Sequence, residues 1–201
     1  MRSALNFCLI LGLTLVIAGC AKPPTQELDA AKSALEAAKA AEAEIYAPDT
    51  YRSATNAMND ANAKVEQKDY EGAKTSAVQA KEFADRAKSE ADTNKRQTRD
   101  EAQAIINRVA SGLSDAQTSL ATAPRGKGAD EDLDQLNADL SQAEANLITA
   151  RSSLNGGKYK DALAQAGSAE SKMSQIPASV QTANQKIEAW KEQNKPWFNR
   201  L

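Results

Sequence analysis

The chain has 201 residues, with 25 Lys and Arg, 27 Asp and Glu, two cysteines and no histidine. The missing histidine excludes Ser-His-Asp and Cys-His catalysis and any histidine-ligated metal, and two cysteines cannot build a Cys₂His₂ or Cys₄ zinc site. A net charge of −2 argues against nucleic-acid binding, and 40 alanines beside 4% aromatic residues point to long helices with thin seams.

Residues 1–19 have the parts of a secretory signal. Arg2 is the n-region, Leu5 to Ile17 is mainly apolar, and Ala18 and Gly19 precede Cys20. The apolar stretch is short for a spanning helix, which needs about 20 residues; a retained anchor helix is the alternative. Ile17-Ala18-Gly19-Cys20 resembles the lipobox of bacterial lipoproteins. That resemblance implies cleavage before Cys20 and a covalent lipid on it; no other cofactor is expected. Ala21 in place of aspartate then favours the outer membrane, facing the periplasm. More than one acyl chain anchors stably, at about 0.8 kcal/mol per buried CH₂. Cleavage also removes Cys8, so the mature chain has no thiol left for an internal disulfide and must be held by helix packing.

Residues 20–26, with Pro23 and Pro24, form a short tether. Apolar residues then recur in steps of three and four. The first predicted helix carries Leu28, Ala31, Leu35, Ala38 and Ile45, with Glu42 as a polar intruder. Pro48 suits the first turn of the next helix, which carries Tyr51, Ala54, Met58, Ala61 and Val65. Lys68-Asp69 makes a turn in which Asp69 can cap a third helix along Ala73, Ala77, Ala80, Ala84, Ala87 and Ala91. Residues 88–101 have no large apolar side chain; the seam resumes at Ala102, Ile106, Val109, Leu113, Ala116 and Leu120. The spacing from Ala91 to Ala102 is a heptad plus a four-residue stutter. One long helix from about Tyr70 to Thr122 is expected, a break near Asn94 being the alternative.

The stretch 124–129 is a loop, and no strand or GK[ST] supports a phosphate-binding role for it. The carboxylates of Asp130, Glu131, Asp132 and Asp134 complement a helix N-terminus and lack the spacing of a calcium loop, so no metal is expected. Leu133, Leu136, Leu140, Ala143, Leu147, Ala150 and Leu154 form a seam closed by Asn155-Gly156-Gly157. A last helix follows Tyr159, Ala162, Ala166, Ala169, Met173 and Ile176, and the phase continues through Val180, Ala183, Ile187 and Trp190. Pro177 should kink or restart it.

A shift of 89 residues superposes Tyr51, Ala54, Met58, Ala61 and Val65 on Leu140, Ala143, Leu147, Ala150 and Leu154. It also places Tyr70 and Ala73 on Tyr159 and Ala162, which are expected to pack at matched turns. The fold expected is all-α: an elongated alanine-rich bundle of coiled-coil hairpins, two related hairpins joined by a long helix. The regions are 1–19, 20–26, 27–95, 96–195 and an aromatic tail at 196–201.

Tyr46-Ala47-Pro48, Tyr51, Ala54, Ala61 and Asp69-Tyr70-Glu71-Gly72-Ala73, with alanines at 77, 80 and 84, resemble a domain of unknown function. By that resemblance, which covers about 27–92, the domain recurs in Gram-negative lipoproteins, sometimes beside peptidoglycan-binding domains of the outer-membrane-protein-A type. It implies no activity. Gly157-x-Tyr159-x-x-Ala162 with Ala166 and Ala169 is similar to the second helix of a tetratricopeptide repeat.

Trp190, Trp197 and Phe198 crowd the C-terminus beside Arg200. They either fold back on the bundle or dock on a partner or the membrane interface. The function expected is a non-catalytic, membrane-anchored scaffold or interaction protein of the cell envelope, held by its lipid and bound to a protein partner. A mechanical spacer is the alternative, a helix of about 50 residues reaching roughly 75 Å. Thin alanine seams are expected to leave little room for a ligand pocket of about 300 Å³.

Overall fold

The computed structural model describes residues 22–123, 125–126 and 129–195. The signal segment, Cys20, Trp197, Phe198 and Arg200 lie outside them. The described residues form helices and no strand: α1 Thr25–Ala40, α2 Ala43–Tyr46, α3 Pro48–Glu66, α4 Tyr70–Thr122, α5 Asp130–Asn155 and α6 Tyr159–Gln193. The chain divides between Asp92 and Thr93 into two units. That point lies in the polar stretch of α4, where nothing between Ala91 and Ala102 is buried. α4 nonetheless continues through it as one helix, without a break near Asn94.

Unit 1 holds α1, α2, α3 and the first part of α4. Its interior is almost entirely alanine. Ala31, Ala61, Ala77 and Ala80 form one cluster, flanked by Leu28 and Met58. Ala34, Ala38, Ala84, Ala87 and Ala91 form another, which receives Tyr46. Alanine carries no bulk beyond Cβ, so helices lined with it approach toward the low end of the usual 8–10 Å separation.

The first predicted helix does not run through to Ile45. α1 ends at Ala40, and Glu42 adopts φ 61°. The Glu42 N–H turns back to the Lys39 carbonyl at 2.9 Å. Pro48 explains a second break, at Ala47. A residue before proline is driven out of the helical region, and Ala47 sits at φ −141°. The short α2 then turns Tyr46 and Ala47 inward, each 5% exposed, and leaves Ile45 47% exposed outside the seam. Pro48 occupies the first turn of α3, as its fixed φ allows.

Unit 2 holds the rest of α4 with α5 and α6. Here the seam is larger. Ile106 and Val109 pack with Ala143, Leu147, Ala150, Ala166 and Ala169, and Leu133, Leu136, Leu140, Ile176 and Ile187 extend the core. The acidic start of α5 is satisfied piecewise. Asp130 accepts the Gly126 N–H at 3.1 Å, Asp132 pairs with Lys186 at 2.5 Å and Asp134 with Arg125 at 3.5 Å. Pro177 does not restart α6, which is one helix from Tyr159 to Gln193. The proline removes one donor from one turn, while the apolar phase on both sides stays buried at Ile176 and Ala183. The seam ends at Ile187: Trp190 is 41% exposed and does not continue it.

The two hairpins match bond for bond at their turns. In the first, the N–H groups of Gln67, Lys68 and Asp69 donate to the carbonyls of Ala63, Val65 and Lys64 at 3.1, 3.0 and 2.9 Å. In the second, Gly156, Gly157 and Lys158 donate to Ser152, Leu154 and Ser153 at 2.9, 3.1 and 2.9 Å. Each donor and acceptor pair is displaced by the same 89 residues. Ala73 and Ala162 are fully buried one turn later, and Tyr70 and Tyr159 are half-buried beside them.

The turns differ in how they are stabilised. Asp69 caps α4, accepting the Gly72 N–H at 3.1 Å, and a Cβ on Gly72 would meet the Asp69 carboxylate at 2.1 Å. The second turn has no such cap but puts Gly157 at its left-handed position, φ 75°, where the first has Lys68 at φ 60°. A side chain in that region costs about 1–2 kcal/mol. Lys68→Gly is therefore expected to stabilise unit 1 by about 1 kcal/mol, read as a higher denaturant midpoint; a lower midpoint would contradict this account.

Candidate functional site

Of the sequence-predicted turn residues, Ala73 and Ala162 are fully buried, and Tyr70 and Tyr159 are half-buried. The buried polar side chain of unit 1, Ser76, is also accounted for. Its hydroxyl donates to Asp60 at 2.5 Å, and the Lys64 ammonium donates to Asp60 at 2.7 Å and to Ser76 at 2.9 Å. Lys64 first, and then Ser76, hold the Asp60 carboxyl below its usual range. Lys172 does the same for Asp139 in unit 2, across α5 and α6, at 2.6 Å. These groups satisfy one another within each unit.

The feature left open is a groove of about 380 Å³ in unit 2, between the second part of α4 and α6. Arg108 pairs with Glu170, and a Cβ on Gly112 would meet the Met173 methyl at 3.3 Å. The two segments thus run in the same direction along the groove. Val109, Ala116, Met173, Ile176 and Pro177 give it apolar walls. The Arg108–Glu170 pair stands at one end, with Asp115 and Ser119 toward the other.

This corrects the expectation that the alanine seams leave little room for a pocket of about 300 Å³. The reason lies in side-chain size. Leu28 and Ala31 pack on the first hairpin where Ile106 and Val109 pack on the second, an offset of 78 residues. At that offset Gly112 and Ala116 correspond to Ala34 and Ala38; at the hairpin offset Met173 and Ile176 correspond to Ala84 and Ala87. In unit 1 all four are small and buried. In unit 2 the larger Val109, Met173 and Ile176 hold the helices apart, while Gly112 supplies no side chain to fill the gap. A glycine beside an apolar seam is the one sequence signal that could have revealed it.

A second, polar cleft of about 330 Å³ lies in unit 1, where Lys22 to Glu27 meet Tyr70, Glu71 and Lys74. Glu27 and Lys74 bridge it at 3.3 Å. The tether therefore enters unit 1 at the end that carries the first hairpin turn. Of the aromatic cluster proposed from sequence, only Trp190 is described, exposed near the end of α6. No helix among the described residues is long and apolar enough to cross a membrane.

Comparison with curated proteins and with solved structures finds no match. Residues 26–105, from α1 to the middle of α4, match the family model of a domain of unknown function (DUF4398), in agreement with the resemblance carried by Tyr46-Ala47-Pro48 and Asp69-Tyr70-Glu71-Gly72-Ala73.

Proposed function

We propose that this is a lipid-anchored, non-catalytic interaction protein of the bacterial cell envelope, held to the outer membrane and facing the periplasm. The observation that carries the reading is Ile17-Ala18-Gly19-Cys20 at the end of an apolar segment, five residues before α1 begins at Thr25. At no more than about 3.5 Å per residue, such a tether keeps unit 1 beside the bilayer. The chain's lack of histidine supports a role in binding rather than catalysis. The aromatic and basic C-terminus, Trp190, Trp197, Phe198 and Arg200, is the partner-binding element of this reading, because aromatic and arginine side chains dominate interface energies.

Cys20→Ala tests the anchor. The wild-type protein is expected in the detergent phase on phase partition and in the membrane fraction of cells, and the variant in the aqueous phase. Mass spectrometry of the mature protein should find an acylated N-terminal Cys20. Equal partition of the two proteins would overturn the anchor.

A spacer between outer membrane and cell wall is the second reading, favoured by the 53 uninterrupted residues of α4. Lengthening the polar stretch 93–101 by whole heptads should change envelope spacing under the spacer reading and leave partner binding intact under the first.

A further inference from the structure

We propose that the groove between α4 and α6 receives the aromatic tail, residues 196–201, of a second copy of this chain. This rests on the reading of the C-terminus as a binding element and names the surface it binds.

Three observations select this occupant. The groove is apolar along its walls, so it suits an aromatic side chain more than a polar ligand. In unit 1 the corresponding alanines at 34, 38, 84 and 87 share their cluster with an aromatic side chain, Tyr46, delivered by α2. The connection at 123–129 in unit 2 contains no helix among its described residues to deliver one. The chain carries that chemistry in Trp197 and Phe198.

Charge agrees. Asp115 and Glu170 lie on the groove and Arg200 on the tail. Glu170 is engaged by Arg108, which leaves Asp115 at the opposite end as the carboxylate placed to meet Arg200.

Reach disfavours the same molecule. Met173, at the centre of the groove, lies twenty residues before the end of α6 at Gln193, which is about 30 Å of helix. The five residues from Gln193 to Phe198 span at most about 18 Å when extended. A tail therefore falls short of the centre of its own groove and meets only the Pro177 end at full extension, whereas two copies can exchange tails reciprocally and close a symmetric pair.

The test places a photo-reactive phenylalanine at position 197 of the full chain in cells. The expected adduct has twice the chain mass and maps to peptides containing 108–119 or 170–177. Gly112→Leu, which fills the groove, should reduce it about tenfold. Asp115→Lys, an exposed change that leaves the core untouched, should reduce it severalfold, which keeps the test decisive if Gly112→Leu folds poorly. An adduct unaffected by Asp115→Lys and by a folded Gly112→Leu overturns the proposal. Crosslinking only to a different protein, or an adduct of single-chain mass joining 197 to the groove, overturns it too but leaves the tail as a docking element; crosslinking to nothing overturns both. Membrane fractionation of the same cells reads the Cys20 anchor separately.

Discussion

Replacing Ile106 with alanine is expected to destabilise unit 2 by about 2–5 kcal/mol, the range for removing a large aliphatic side chain from a packed interior. Ile106 is 1% exposed and packs with Ala143, Leu147, Ala150, Ala166 and Ala169. Four of these five neighbours are alanines on α5 and α6. They have no longer side chain that could swing into the vacated space, and their helices are fixed by a three-residue turn. The cavity therefore persists, which puts the cost in the upper part of the range. Denaturant unfolding followed by circular dichroism gives the size of the loss. Hydrogen exchange locates it, with protection falling in α5 and α6. A loss under about 1 kcal/mol would show that α4 does not key into the second hairpin as described.

Much of this architecture was legible in the sequence because its determinants are local. The 53-residue α4, the cap by Asp69 and the stop at Asn155-Gly156-Gly157 follow from heptad phase and turn chemistry. The matched turns at Tyr70 and Tyr159 were readable as an 89-residue repeat, since a turn of fixed length preserves its residues. The break at Glu42 was not readable from apolar phase. Ile45 keeps the phase of helix one, and the left-handed turn at Glu42 reverses its fate. Trp190 misled in the same way: it keeps the phase of α6 but lies beyond the buried seam, which ends at Ile187 among the described residues.

The candidate groove was harder to read for a related reason. It depends on which positions of α4 oppose which positions of α6, and the relevant offset differs from that of the hairpins. Leu28 and Ala31 answer to Ile106 and Val109 across 78 residues, so unit 2 has eleven more residues between the second part of α4 and the α5–α6 hairpin than unit 1 has between α1 and its hairpin. A search for one period aligns the hairpins and misaligns this helix. Without the correct register, Gly112 is only a poor helix former. With it, Gly112 is the missing side chain opposite Met173.

Unit 1 should fail in the opposite manner to unit 2, by being filled. Ala77→Leu is expected to destabilise unit 1 by about 1–3 kcal/mol, and by more if the helices cannot separate. Ala77 has no exposed surface and packs with Ala31, Ala61 and Ala80, where three helices meet through Cβ atoms. A leucine there must push α1 away from α3 and α4. That motion would also loosen Ala34 and Ala38 from the cluster that holds Tyr46. Leucine is nearly as good a helix former as alanine, so propensity contributes little to the loss. The second-site change Leu28→Ala removes volume from the flank of the same cluster. If crowding is the cause, the double variant should recover part of the stability lost by Ala77→Leu alone, a coupling that a double-mutant cycle measures directly. If Ala77→Leu leaves the midpoint unchanged, the interhelical separation in unit 1 is wider than an alanine seam requires.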